Sequence, residues 1–266
     1  RGMLKAFDHL GLKTVLCSPT GRAAKRLTEL TGREAATVHR LLEVSYNADD
    51  VGFTFVHDED EPLDADAIIL DEVSMVDVDL MYALVRAIRP GAKLVMVGDP
   101  DQLPSVGPGN ILKDLLESDR IASVRLTEIF RQAEQSNIVL SAHSVNRGEI
   151  PKLKHSTGDF FFIRRRNPQD VVQTVVELCA ERLPRNMGFS QDQIQVLSPT
   201  RRGVVGTQNL NIELQRAINP QSSKKPERHS GDYLFRTGDR VMHIRNNYDL
   251  PWQSVDGRDK GVGVFN

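Results

Sequence analysis

The sequence has little with which to staple or anchor itself. Two cysteines in 266 residues, Cys17 and Cys179, cannot build a disulfide framework, and neither has the histidine spacing of a zinc site. No uninterrupted apolar run approaches the roughly 18–20 residues that a membrane-spanning helix needs. The first residues show no basic, apolar and cleavable segments in succession, so no secretory leader is expected. Aromatics are sparse at 6%, and an excess of one charge is missing: 34 basic against 36 acidic residues leave −2, which excludes a disordered polyelectrolyte. What remains is a composition ordinary for a globular chain of one or two domains, with no membrane partner and a reducing, cytoplasmic setting as the expectation.

The near-zero charge hides an asymmetry. Residues 43–79 hold thirteen acids and no lysine or arginine, whereas from Arg201 onward eleven basic residues face seven acidic ones. The second half can therefore present an anion-binding surface, or simply a solvated basic face.

Short apolar runs alternate with helical periodicity. Residues 13–18, 67–70, 93–97 and 122–126 read as strands, and residues 1–10, 20–30, 37–42, 77–88, 110–117 and 134–147 as helices. The acidic stretch 49–66 reads as a loop or hairpin. Apolar strands alternating with helices predict the α/β class, with a parallel sheet covered on both faces. A polar stretch at 149–158 separates a first domain, 1–148, from a second, 149–266. There the pattern restarts, with strands at 160–164, 194–198 and 240–244, helices at 168–183 and 207–218, and loops at 219–231 and 249–263. Ser18-Pro19-Thr20-Gly21-Arg22 is echoed by Ser198-Pro199-Thr200-Arg201-Arg202, each directly after an expected strand, which hints at a shared architecture of the two halves.

In open α/β sheets ligands sit outside the carboxyl ends of the strands. Asp71-Glu72 follows the run AIIL, and Gly98-Asp99-Pro100-Asp101-Gln102 follows KLVMV. A carboxylate pair there suits metal-assisted phosphate chemistry: the first acid holds Mg²⁺ and the second orients and deprotonates a water. The same pair is also an ordinary helix-start charge pattern. Gly98 puts a glycine turn beside this crevice, and Gln102 supplies an amide that can bond both a phosphate oxygen and a water, or merely hold its own loop.

The segments SPTGRAAKRL (18–27), TVHRLL (37–42), LDEVSM (70–75), VGDPDQLPSVGPGN (97–110) and LTEIFRQ (126–132) resemble, in order and spacing, the motifs of superfamily 1 DNA helicases. The likeness is to the RecD-like group, which includes the exodeoxyribonuclease V alpha chain. LSPTRRGVVGTQNLN (197–211) and GDRVMHIRNNYD (238–249) extend it less sharply. The resemblance implies two RecA-like domains of the P-loop NTPase type, both incomplete, and ATP with Mg²⁺ as cofactors. It implies Asp71 as the metal ligand, Glu72 as catalytic base, Gln102 as γ-phosphate sensor and Arg131 as an arginine finger. Ser18, Thr20, Gly21, Arg22, Thr37 and His39 would cradle the backbone of single-stranded DNA. Ser198, Thr200, Arg201 and Arg202 would grip the same strand, with Asn209 and Asn211 as weaker candidates. It further implies 5′→3′ translocation, duplex unwinding in DNA repair or recombination, and company in a nuclease–helicase complex.

The motif G-x-x-x-x-G-K-[ST] does not occur in the 266 residues, and residues 1–10 read as the end of the helix that follows it in the family. The family's SH3-like insertion is expected to begin near 264–266. The chain thus reads as a motor fragment that by itself hydrolyses ATP slowly or not at all. A competing reading is a catalytically inactive single-stranded nucleic-acid-binding module derived from a helicase; retention of Asp71, Glu72, Gln102 and Arg131 together speaks against it. Candidate base-stackers are Tyr46, Tyr248 and Trp252, each equally readable as packing. Backbone contacts carry no sequence preference and weaken with salt.

Overall fold

The run Ala67-Ile68-Ile69-Leu70 has no polar face, and the structure buries all four residues in the middle of a parallel sheet. This computed structural model describes residues 1–46, 53–126, 135–153, 158–242, 247–254, 257 and 260–264. The chain forms two compact units, Arg1–Glu128 with His243–Asn266, and Ile129–Met242.

The first unit begins with α1 (Gly2–His9), β1 (Thr14–Ser18), α2 (Gly21–Thr31), β2 (Ala35–Thr37) and α3 (Val38–Leu41). A short hairpin, β3 (Val44–Tyr46) and β4 (Phe53–Phe55), fulfils one of the two expectations for the acidic stretch. Then come β5 (Ala67–Leu70), a 3₁₀ turn (Val73–Met75), α4 (Val78–Arg86), β6 (Lys93–Met96) and α5 (Ile111–Glu117). The sheet order is β2-β1-β5-β6, all parallel, with Leu16 opposite Ile69 and Ile69 opposite Val95. Alternation along the strands sends Ile68, Leu70 and Cys17 into a core with Val38, Leu80 and Leu84. Leu16 and Ile69 face the opposite side, against Leu4, Phe7 and Leu27. Helices on both faces of this parallel sheet are the α/β, RecA-like architecture that the sequence predicted for the first domain; among the described residues the second expected parallel sheet does not form.

The helix starts follow from local chemistry. Thr20, Thr37 and Asp77 each accept a backbone N–H from the first turn of α2, α3 and α4, at 3.3, 3.1 and 2.9 Å. Gly32 closes α2 in the left-handed conformation, φ 75°.

The second unit holds α6 (Asn137–Asn146), α7 (Pro168–Glu177), a π turn (Leu178–Arg182), α8 (Leu183–Met187) and α9 (Thr207–Ile218). After α9 come β7 (Glu227–Ser230) and β8 (Tyr233–Arg236), paired antiparallel. The α6 N-terminus is held by Ser136 and by Asp159, whose carboxylate accepts from the Asn137 and Ile138 amides at 2.8 and 3.3 Å. A polar cluster ties the hairpin to α9: Arg236 donates to Glu227 at 2.6 Å. Asp239 accepts from Gln215, Asn219 and the Arg236 amide at 2.6, 2.7 and 2.7 Å. Finally β9 (Asn247–Gln253) and β10 (Lys260–Val264) form a hairpin belonging to the first unit.

Several expected elements differ. Residues 122–126, 160–164 and 194–198 are not strands, nor are 240–242 of the expected strand 240–244, whose residues 243–244 lie outside the described ones; Leu126 and Leu197 are 93% and 88% exposed. An apolar run of four or five residues favours burial, but it becomes a strand only when another segment pairs with it in register. Conversely, the expected loops 219–231 and 249–263 contain β7, β9 and β10. Pro251 is accommodated in β9, opposite Val262 in a two-stranded hairpin whose outer edge needs no donor there.

Candidate functional site

The chain passes from β1 outward to β2, then returns to the other side of β1 to make β5 and β6. Connections therefore leave β1 and β5 in opposite directions, and the crevice beyond their carboxyl ends is the topological switch point. Ser18-Pro19-Thr20 exits one strand there and Asp71-Glu72 the other. The Asp71 amide donates to the Cys17 carbonyl at 2.9 Å, which continues the β1–β5 ladder and fixes the start of the acidic pair.

Glu72 has φ 57° and ψ 43°, left-handed backbone that a non-glycine residue adopts at a cost of about 1–2 kcal/mol. The reversal lets the Met75 amide reach the Glu72 carbonyl at 3.0 Å and open the 3₁₀ turn. Strain of this kind collects at functional sites. The neighbouring exit runs alongside: the Val97 amide donates to Leu70 at 2.8 Å, and the Val73 amide to Val97 at 3.0 Å. Gly98 follows, and a Cβ there would lie 2.9 Å from Leu112 and 3.2 Å from the Val73 nitrogen. The sequence assigned this glycine to a turn; its backbone is not left-handed, and close approach to the acidic exit is what requires it. The Gln102 amide then closes a turn onto the Asp99 carbonyl at 3.2 Å, leaving the Gln102 side chain exposed.

Asp77, which the sequence reading left out, joins these loops. It caps α4, and a Cβ on Gly107 would fall 2.1 Å from its carboxylate, so residues 97–110 fold closely over the start of α4. Its signal was an aspartate immediately before a helical run. Ser74 was also missed. Ser18 Oγ and Ser74 Oγ are buried without a hydrogen-bond partner among the described residues, both at the strand exits that carry the candidate site. No cluster of three or more His, Cys, Asp or Glu side chains that could hold a metal occurs among the described residues. Asp71 as a lone carboxylate fits Mg²⁺, which is commonly held by one or two carboxylates with waters and substrate phosphates.

The expected DNA contacts fall into two groups, one in each unit. Thr20 and Thr37 spend their oxygens as helix caps, yet each hydroxyl proton can still be donated to a phosphate. Gly21 and Arg22 open α2, with Arg22 exposed. His39 is half-buried against Phe55, ring centroids 5.8 Å apart; burial holds its pKa below the ordinary value, partly opposed by the Asp77 carboxylate. In the second unit the Ser198 hydroxyl donates to Val205 at 2.8 Å, and the Thr200 carbonyl accepts the Thr207 amide at 3.0 Å. Ser198 thus closes the 198–207 loop, and Asn209 braces it by donating to Val204 at 2.7 Å. Arg201 reaches the Tyr233 hydroxyl at 3.3 Å, a contact no sequence pattern announced, whereas Arg202 and Asn211 are exposed. Trp252 lies against Gly261, where a Cβ would be 2.8 Å from the indole. Arg131 and the side chains of Tyr46 and Tyr248 lie outside the described residues.

Residues 1–108 match a family model described as an AAA domain, and residues 210–266 one described as an ATP-dependent RecD-like DNA helicase SH3 domain. The second match starts well before 264–266, where the sequence placed the beginning of the SH3-like insertion. The polar strand β7 and the glycine- and proline-bearing β9 and β10 concealed it. The ATP-dependent RecD2 DNA helicase of Deinococcus radiodurans is 37% identical over 242 residues, covering 91% of this chain and 31% of that protein. The RecBCD enzyme subunit RecD of Mycolicibacterium smegmatis is 30% identical, covering 80% of this chain and 42% of that one. A crystal structure of Pif1 helicase from Bacteroides with ADP-AlF3 and ssDNA covers 65% of this chain and 42% of its own at 22% identity, TM-score 0.37. The chain thus spans less than half the length of these curated relatives. With its ordered motifs, the two family-model matches and the RecD2 and RecD relatives, the chain belongs to the RecD-like helicase family.

Proposed function

We propose that this chain is the part of an ATP-dependent DNA helicase that hydrolyses the nucleotide and holds single-stranded DNA. The observation that carries the reading is the acidic pair Asp71-Glu72 at the topological switch point, with Gly98 of the neighbouring strand exit packed against Val73, the next residue. In this reading residues 1–148 belong to the first motor domain and residues 149–266 to the second, with the SH3-matching segment 210–266 carried within it.

Asp71 holds Mg²⁺, which when bound offsets the negative charge of the phosphates. Glu72, turned by its left-handed backbone, orients a water and takes its proton. Gln102 stands on the adjacent loop, where its amide can bond the terminal phosphate and pass its presence to the chain that follows. Arg131 supplies positive charge to the transferring phosphoryl group. Thr20, Thr37 and Arg22 donate to DNA phosphates from helix starts, with Gly21 and His39 completing that wall, while Ser18, fully buried, sits behind it. Arg201 and Arg202 do the same from the second unit, on a loop that Ser198 and Thr200 keep closed. Translocation with 5′→3′ polarity, work in repair or recombination, and partnership with nuclease subunits belong to the same proposal. The partnership is supported by relatives described as RecBCD enzyme subunits, whereas polarity and pathway rest on the motif resemblance alone. No described helix is long and apolar enough to cross a membrane, and a cytoplasmic setting is part of the proposal.

The test is unwinding of a forked duplex by the full-length protein with Mg-ATP. The wild type separates the strands and Asp71→Ala does not, while both bind the fork. Tight DNA binding with no unwinding and no ATP turnover by the wild type would instead identify a catalytically inactive binding module.

A further inference from the structure

The β7–β8 hairpin has two unlike faces. Leu234 and Arg236 point inward: Arg236 is buried on Glu227, and the Leu234 carbonyl accepts from Gln215 of α9 at 2.9 Å. Tyr233 and Phe235 alternate with them and stand on the other face, 40% and 43% exposed, with ring centroids 6.3 Å apart. Register places Arg228 directly opposite Phe235 and Ser230 opposite Tyr233, so both share the aromatic face. Arg201 arrives from the 198–207 loop and donates to the Tyr233 hydroxyl at 3.3 Å. Two adjacent rings are thus flanked by a guanidinium at each end. Of the nearest acids, Glu227 is engaged by Arg236 on the inner face, and Asp232 sits in the turn beside Tyr233.

Adjacent exposed rings call for an explanation, and their flanking cations narrow it. A purely apolar partner would have to strip water from two guanidiniums with nothing to pair them. A single strand of nucleic acid supplies both needs, a π face from each base and an anion between successive bases. We propose that this face is a stacking platform for single-stranded DNA, on which Tyr233 and Phe235 each take one base while Arg201 and Arg228 meet the flanking phosphates. The platform rests on the reading that the chain handles single-stranded DNA, and it adds to that reading a base-contacting site that shares only Arg201 with the expected backbone grips. The Arg201–Tyr233 bond gives Tyr233 a positioning role as well, since it holds the guanidinium at the edge of the ring.

The test is fluorescence anisotropy of labelled oligo-dT with the 266-residue chain, beside an abasic oligonucleotide of equal length. Tyr233→Ala and Phe235→Ala are each expected to weaken oligo-dT binding about tenfold, the usual size of one lost base–ring stack. Phe235→Ala should leave the weaker abasic binding unchanged, and Tyr233→Phe should keep the base-dependent part of the affinity. Tyr233→Trp gives a readout independent of any loss of fold: its added indole fluorescence, taken as the difference from wild type, is quenched by oligo-dT and not by the abasic strand. If the wild type binds oligo-dT, and Arg22→Ala weakens it while both alanine variants match wild type, the platform is overturned and the functional reading stands. An unquenched indole at saturating oligo-dT overturns it equally. No oligo-dT binding by the wild type overturns both.

Discussion

A Cβ on Gly98 would stand 3.2 Å from the backbone nitrogen of Val73, one residue beyond the acidic pair. The two strand exits of the candidate site are packed main chain against main chain, so the position of Glu72 depends on the smallness of residue 98. Gly98→Ala pushes on backbone as well as on the movable end of Leu112. It is expected to lower stability by about 1–3 kcal/mol, read as a drop in urea midpoint, and to depress nucleotide turnover in the full-length protein. An unchanged midpoint would show that the exits can part at no cost.

Glu72 is held where glycine would be at ease. Glu72→Gly relieves about 1–2 kcal/mol of backbone strain and gives back roughly 0.5–1 kcal/mol through a freer unfolded chain. The variant is therefore expected to unfold at equal or slightly higher urea than wild type while losing ATP turnover. Glu72→Gln should lose turnover with no change in midpoint. A Glu72→Gly protein clearly less stable than wild type would mean that the Glu72 side chain supports the fold.

Much of this site was legible because its signals are local. The run AIIL declared β5 to the residue, and the periodic segment 207–218 declared α9, since burial on all sides and a 3.6-residue stripe are written in adjacent residues. The acidic pair was found because polar residues after an apolar strand mark a sheet's carboxyl edge. The misses concern long-range partners. Residues 160–164 and 194–198 look like strands but form none among the described residues, and 227–230 is too polar to look like one yet pairs with 233–236. Similarly, nothing near Arg201 in the sequence identifies Tyr233, thirty-two residues on, as its partner.

Asp239 provides a pH signature for the second unit. Burial raises its pKa, but hydrogen bonds from Asn219, the Arg236 amide and Gln215 outweigh burial and hold the carboxyl below its ordinary value. A carboxylate with a depressed folded-state value contributes stability that is complete above the unfolded value of about 3.9 and disappears as pH falls through the lower folded value. The second unit should therefore loosen below about pH 4. Asp239→Asn should cost about 1.5–3 kcal/mol near neutrality and flatten that acid-side loss in a series of urea melts. A variant that keeps the wild-type acid slope would assign the slope to other carboxylates.

Backbone contacts have a salt signature. For single strands each neutralised phosphate contributes about −0.7 to the slope of log affinity against log salt. Arg202 is exposed on the loop closed by Ser198, so Arg202→Ala should weaken oligo-dT binding and make the slope shallower by about 0.7. A parallel line displaced in affinity would place Arg202 away from the phosphates.

The central claim is that Asp71 and Glu72 perform ATP hydrolysis coupled to DNA, and the most direct measurement is the ATPase rate of the full-length protein with and without oligo-dT, beside Glu72→Gln. The wild type should be strongly stimulated by the single strand, and Glu72→Gln should bind the same oligonucleotide yet show almost no turnover. Turnover by Glu72→Gln equal to wild type, or a wild type that binds oligo-dT without hydrolysing ATP, would contradict the claim and return the acidic pair to an ordinary charge pattern at the start of a turn.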